Sequence, residues 1–153
     1  MRVSDLMSRN VVTIGASDSC IEAIARMHAA KVRHLPVLSP EGRLIGVVTD
    51  RDLRHHLFAP HVFKTVGTIA VDVLLKAVPV AEIMSSPVQS VAAQADLVEA
   101  ARIMLEDKVG SLPVVDESGR VVGIVTETDI LRQICKFDAE CSKEIAEIVV
   151  SYP

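Results

Sequence analysis

The chain has no tryptophan, one tyrosine and three phenylalanines among 153 residues, so any core it builds must be aliphatic. Cysteine is sparse too. Cys20, Cys135 and Cys141 are odd in number and form no C-x-x-C, which argues against a disulfide framework and predicts reduced thiols in a cytoplasmic protein. There is no basic excess: the net charge is −4, whereas a nucleic-acid footprint needs clustered Lys and Arg. No long uncharged apolar run occurs either. The longest apolar stretch, Val62 to Val80, is broken by Lys64, Gly67, Asp72 and Lys76, where a membrane span needs roughly 20 residues nearly free of charge. The opening MRVSDLMSRN lacks the apolar stretch of a secretory signal. These absences predict a soluble cytoplasmic protein with neither a nucleic-acid nor a membrane partner.

What is present is aliphatic bulk and a repeat. Apolar residues make up 50% of the chain, enough for a sizeable core. Sliding the sequence by 77 lays residues 3–57 over 80–134 without a gap, and roughly a third of the paired positions are identical, well above chance at ordinary composition. The matches include Met7/Met84, Val11/Val88, Glu22/Glu99, Met27/Met104, Lys31-Val32/Lys108-Val109, Leu35-Pro36-Val37/Leu112-Pro113-Val114, Gly46/Gly123 and Asp52/Asp129.

Each copy reads as βαββα. A short extended segment (Val11–Ile14; Val88–Val91) leads to an amphipathic helix with apolar face Ile21, Ile24, Ala25 and Met27, or Leu97, Ala100, Ala101 and Met104. Ser19-x-x-Glu22 has capping-box spacing. Leu-Pro-Val follows as a strand, with Pro expected only at an edge or an end. A Gly-containing turn (Ser39–Arg43; Asp116–Arg120) leads to a second strand, Leu44–Val48 or Val121–Val125, and a second helix begins at Thr49 or Thr126. So small a sheet is marginal alone, which predicts an α/β (α+β) fold with the two repeats packed sheet to sheet about a pseudo-twofold axis. The expected organisation is repeat 1 over 1–58, a connection over 59–79 with a helical turn or two near Ile69–Ala77, repeat 2 over 80–136, and a tail over 137–153. Residues 138–150 read as a helix with Ile145, Ile148 and Val149 on one face.

The chemistry concentrates where the second strand enters its helix: Gly46-Val-Val-Thr49-Asp-Arg-Asp52 and Gly123-Ile-Val-Thr126-Glu-Thr-Asp129. Thr falls at the N-cap and Asp at N3. A helix N-terminus with a hydroxyl beside it suits an anion, and a nearby carboxylate can accept the two hydroxyls of a ribose. Gly46 and Gly123 let a backbone or a flat ring approach closely. The same Thr-x-x-Asp is also an ordinary helix cap, and the two roles are compatible. His55, His56 and His61 do not form a metal set, since adjacent helical residues point about 100° apart. No Ser or Cys nucleophile with a paired base is evident.

The Met-Ser-x-[Asn/Pro]-Val opening, the Leu-Pro-Val strand and the Gly-h-Val-Thr-x-x-Asp end, recurring in order in both copies, closely resemble the CBS domain, named for cystathionine β-synthase. The connecting segment and Thr-Glu-Thr-Asp-Ile are similar to stand-alone bacterial CBS pairs of the acetoin-utilisation type. Asn10 departs from the more usual Pro seen at Pro87. The resemblance implies two clefts for AMP, ADP, ATP or related adenosine compounds, each drawing on both repeats, with no metal required. Carried over by position, one cleft takes Thr49, Arg51 and Asp52 with Gln89, Val109, Gly110, Ser111 and Pro113; the other takes Thr126, Thr128 and Asp129 with Val12, Val32, Arg33, His34 and Pro36. Arg33-His34 offers phosphates two basic groups where the second copy has Gly110-Ser111, and Arg51 faces the same comparison with Thr128. The resemblance also implies a homodimer, a disc of four repeats acting as a nucleotide- or energy-sensing regulator on an unknown client protein. A dimerisation scaffold with vestigial clefts is the alternative. A nucleotide-processing enzyme is the least supported, because little sequence lies outside the repeats.

Overall fold

The computed structural model describes residues 1–57 and 71–136. The expected 138–150 helix, His61, Cys141 and the Ile69–Ala70 start of the connecting helix lie outside the described residues. Two mixed three-stranded sheets are present, with helices, in repeating order. The first copy runs β1 (Ile14–Gly15), α1 (Cys20–Ala30), β2 (His34–Leu38), β3 (Leu44–Thr49) and α2 (Asp50–Leu57); α3 (Val71–Ala77) follows. The second runs β4 (Val91–Ala92), α4 (Leu97–Asp107), β5 (Ser111–Val115), β6 (Val121–Thr126) and α5 (Glu127–Cys135). Short 3-10 turns at Val3–Asp5 and Val80–Glu82 precede the copies.

The order in each sheet is β1-β2-β3 and β4-β5-β6, so the Leu-Pro-Val strand is central and not at an edge. Proline is tolerated because β1 pairs only opposite Val37 and Leu38, and β4 only opposite Val114 and Val115. At Pro36 and Pro113 the middle strand therefore has one neighbour, through Val47 or Ile124, and is locally an edge. The hairpins turn through Gly42 (φ 80°) and Gly119 (φ 79°), a left-handed conformation that favours glycine. The Asp116 carboxylate closes the second turn, accepting from the Ser118 N–H and hydroxyl and from the Arg120 N–H.

Helix α1 starts at Ser19, whose hydroxyl accepts the Glu22 N–H at 3.3 Å. The Glu22 carboxylate does not close the expected box; it turns to Arg26 at 2.9 Å instead. The inward face of α1 is Cys20, Ala23 and Met27, flanked by Ile21 and Ile24, while Ala25 is exposed. The face is rotated because Cys20 and Ala23, small enough to pack closely, lie three residues apart and in line with Met27. Burial pushes the Cys20 thiol up to about 11, with the charge of Glu82 adding to it, so this cysteine stays protonated and apolar in character.

Sequence repeats and packing units do not coincide. One compact unit is residues 12–88; the other is residues 1–11 with those from 89 onward. In the first, the Val80 N–H donates to the Asp18 carbonyl and the Ala81 N–H to Ala16, while Ser85 and Val47 exchange two backbone hydrogen bonds of 2.9 and 3.2 Å. In the second, the Val3 N–H donates to Ala95 and the Ser4 N–H to Ala93, and Ser8 and Ile124 exchange bonds of 2.9 and 3.0 Å. Each opening segment thus seats on the other copy. Val3 and Val80, both 0% exposed, anchor it. A repeat in sequence says which residues are equivalent, not which copy a linker packs on.

Each unit has its own aliphatic core. Ile14, Leu35, Val37, Val48, Leu53, Leu75 and Val80 belong to one; Val3, Val91, Ala100, Met104, Leu112, Val114 and Val125 belong to the other. Gly46 and Gly123 are where the borrowed segment comes closest. A Cβ on Gly46 would stand 2.6 Å from Met84 Sδ and 3.1 Å from the Ser85 carbonyl; on Gly123 it would stand 2.5 Å from Met7 Sδ. The space is taken by a backbone and a thioether, not left for a flat ring. Gly46→Ala should therefore cost about 1–3 kcal/mol through overpacking, read as a lower denaturation midpoint with an unchanged slope. An unchanged midpoint would mean that Met84 swings aside freely.

Candidate functional site

The sequence places Thr49 and Thr126 at the ends of β3 and β6, each followed directly by a helix. Both threonines lock onto the aspartate three residues on. Asp52 Oδ2 accepts the Thr49 N–H at 2.9 Å and the Thr49 hydroxyl at 2.7 Å, and the Asp52 N–H donates back to Thr49 Oγ1 at 3.1 Å. Asp129 does the same with Thr126 at 2.9, 2.7 and 3.3 Å. The hydroxyl proton is thus spent on the carboxylate. Threonine holds the acid in one rotamer and closes the helix start, and one carboxylate oxygen carries all of that work.

The other oxygen distinguishes the copies. Asp52 Oδ1 takes no hydrogen bond or ion pair among the described residues. Asp129 Oδ1 lies 3.9 Å from Arg132 Nη1, one turn along α5, where the first copy has the exposed His55. Both acids are half-buried, so each presents an acceptor at a helix start, where the helix dipole favours negative charge.

The loop before Leu-Pro-Val is brought to the same place. His34 pairs with Thr49 across the β2–β3 ladder, and the Asp50 N–H donates to the Arg33 carbonyl at 3.1 Å. In the second copy Ser111 pairs with Thr126, and the Glu127 N–H donates to the Gly110 carbonyl at 3.1 Å. Arg33 and Arg51 are exposed, with side chains in reach of solvent anions, and His34 is half-buried. Val12 and Val32 pack against the core of residues 12–88, and Val109 against the other. Pro36 and Pro113 are fully buried, Ser111 is buried, and Thr128 is half-buried. Gln89 is exposed and directly follows the segment that lines β3. Each unit therefore unites the Thr-x-x-Asp helix start with the preceding loop of the same copy. The groupings implied by the resemblance join residues of different units.

Two groups escaped the sequence reading. Met7-Ser8 and Met84-Ser85 fill the glycine sites, and their identity in both copies was the available signal. Arg26 contacts the Thr13 carbonyl at 2.8 Å, and nothing in the repeat announces it, because its counterpart is Ile103. Among the described residues no group of three or more His, Cys, Asp or Glu is placed to hold a metal ion. Nor is any described helix long and apolar enough to cross a membrane.

The family model described as "CBS domain" matches residues 3–59 and 80–136. A CBS domain-containing protein of Dictyostelium discoideum is 34% identical over 141 residues, covering 88% of this chain and 91% of that one. Several other curated relatives, enzymes among them, are longer, and the chain spans about a third of their length or less. Among solved structures, the CBS domain pair of protein MJ0100, in complex with 5′-methylthioadenosine and S-adenosyl-L-methionine, superposes with a TM-score of 0.76 at 27% identity, covering 90% of this chain and 98% of that one. A putative acetoin utilization protein from Vibrio cholerae gives 0.70 at 31%, covering 94% and 96%. The protein CBSX2, in complex with AMP, gives 0.70 at 30%, covering 89% and 97%.

Proposed function

The chain belongs to the CBS domain family, and on that footing we propose that it is a regulatory module that binds adenosine compounds of the AMP, ADP or ATP class without transforming them. The observation that carries this is the locked carboxylate. Thr49 and Thr126 fix Asp52 and Asp129 through one oxygen and leave the second turned from the cap, at a helix start that attracts anions. AMP in one similar structure and S-adenosyl-L-methionine with methylthioadenosine in another share an adenosine whose ribose diol such an oxygen can accept. The proposed ligand groups are Thr49, Arg51 and Asp52 with Gln89, Val109, Gly110, Ser111 and Pro113, and Thr126, Thr128 and Asp129 with Val12, Val32, Arg33, His34 and Pro36.

The proposed output is a change in self-association or in contact with a client protein. In support, Val98 and Leu105 on α4 and Leu131 and Ile134 on α5 are each more than half exposed, on two helices that pack against each other. A patch of this kind usually marks an interface, and a twofold dimer is the commonest way to close one. Ligand then biases whichever assembly binds it better, by its differential affinity for the two states.

Asp52→Ala and Asp129→Ala should each remove one of two binding events in calorimetry with AMP or ATP. The loss of a bonded acceptor is about 1.5–3 kcal/mol, or roughly ten- to hundred-fold in affinity. Each also loses a cap, so stability should fall by about 1 kcal/mol. The Asn variants keep an acceptor for the Thr N–H and separate the two effects. If both Ala variants bind like the parent, the ribose assignment is wrong. Arg33→Ala should weaken ATP far more than adenosine, because Arg makes charge-assisted contacts to phosphate; equal weakening would place Arg33 outside the phosphate site. Light scattering should give a dimer, with Leu105→Glu plus Ile134→Glu shifting it to monomer. Incubation with ATP should yield neither ADP nor AMP. A monomeric parent, or hydrolysis that follows the purified protein, would overturn those two statements.

A further inference from the structure

We infer that Arg26 is a positioning residue for the ligand site to which Val12 belongs, fixing residues 12–16 around β1 by an ionic clamp that the second copy lacks; the inference rests on the ligand reading above. The need arises from the length of β1. Its two residues pair only as Ile14 with Val37 and Gly15 with Leu38, so Val12 and Thr13 lie ahead of the ladder. Arg26, a turn and a half into α1, reaches back to them. Its Nη1 donates to the Thr13 carbonyl at 2.8 Å, its Nε to Glu22 at 2.9 Å, and its Nη2 lies 3.5 Å from Asp18 Oδ2. That same Asp18 oxygen accepts the Gly15 N–H at 2.9 Å. One planar guanidinium thus engages the backbone on the N-terminal side of Ile14 directly, and the backbone on its other side through Asp18. Lysine has no such fork.

The second copy solves the same problem differently. Position 103 is Ile and packs against the apolar cluster, and position 95, the counterpart of Asp18, is Ala. Glu99 remains at the place of Glu22 without the arginine. The clamp side chains of Arg26 and Asp18 are each 37% exposed and that of Glu22 is 48% exposed, so dissolved salt screens them. An isoleucine seated among aliphatic neighbours is indifferent to salt in that range. Residues 12–16 and 89–93, and with them the two sites, should differ in their response to ionic strength.

Arg26→Ile installs the second copy's own solution at the first, and Arg26→Lys keeps the charge but loses the fork. Hydrogen exchange of the unliganded protein should show faster exchange over residues 12–16 in both variants and no change over 89–93. Calorimetry with AMP should show the site containing Val12 weakened about ten-fold, the size of one charge-assisted hydrogen bond, with the other site unaltered. Raising salt should speed exchange over residues 12–16 in the unliganded parent and leave Arg26→Ile as it was. Unchanged exchange over 12–16 overturns the clamp whatever AMP does. Faster exchange with parental affinity at both sites, or equal loss at both, overturns the positioning role. A parent that binds neither AMP nor S-adenosyl-L-methionine overturns the ligand reading and the positioning role with it, and exchange alone then decides whether the clamp exists.

Discussion

A sheet whose outer strand has two residues cannot hold a helix-covered core by itself, and nearly everything else in this protein follows from that shortage. Three strands with one long hairpin offer too little apolar surface and too few ladder bonds. Each sheet is completed by the opening segment of the other copy, which pairs Ser85 with Val47 and Ser8 with Ile124. The antiparallel bridge brings a methionine against the strand, and the strand must then be glycine at that point. The glycine, the methionine and the exchanged segment are one device seen from three sides.

Local structure was legible because each signal in the sequence is short-range. The hairpins follow from Gly42 and Gly119, the first helix from Ser19 and the spacing of apolar residues, and the second helices from Thr-x-x-Asp. Errors arose where an outcome depended on a partner distant in the chain. Pro36 fits a central strand because its neighbour on one side stops short, and no pattern around Leu-Pro-Val encodes the length of β1. Cys20 and Ala23 face inward and Ala25 outward because of what α1 packs on. The glycine in Gly-h-Val-Thr admits either a backbone or a flat ring by its pattern alone, and it is the backbone of Ser85 or Ser8, with a methionine thioether, that takes the space. For the site, Thr and Asp were found by their spacing, but their division of labour was not. Only coordinates assign one carboxylate oxygen to the cap and leave the other outside it.

The two copies share part of their core and differ in several charges around the Thr-x-x-Asp helix starts. Core positions such as Leu35/Leu112, Val37/Val114 and Met27/Met104 match. Several positions that differ change the charge: Arg26 against Ile103, Arg33-His34 against Gly110-Ser111, Arg51 against Thr128, and His55 against Arg132. Internal near-symmetry of backbone thus supports two unequal electrostatic environments.

The exchanged segments also impose an order of events during synthesis. The unit of residues 12–88 is continuous in the chain and is complete once Val88 has been made. Its partner is discontinuous, because residues 1–11 precede the strand they pack on by more than a hundred positions. Val3 and Met7 leave the ribosome well before β6, and in the interval the continuous unit has time to close at elongation rates of about 5–20 residues per second. By then that folded unit lies between the two parts still to be joined, as a compact tether in place of a long flexible loop. Loop-closure entropy falls accordingly. The unit that can fold early lowers the entropic barrier for the one that cannot.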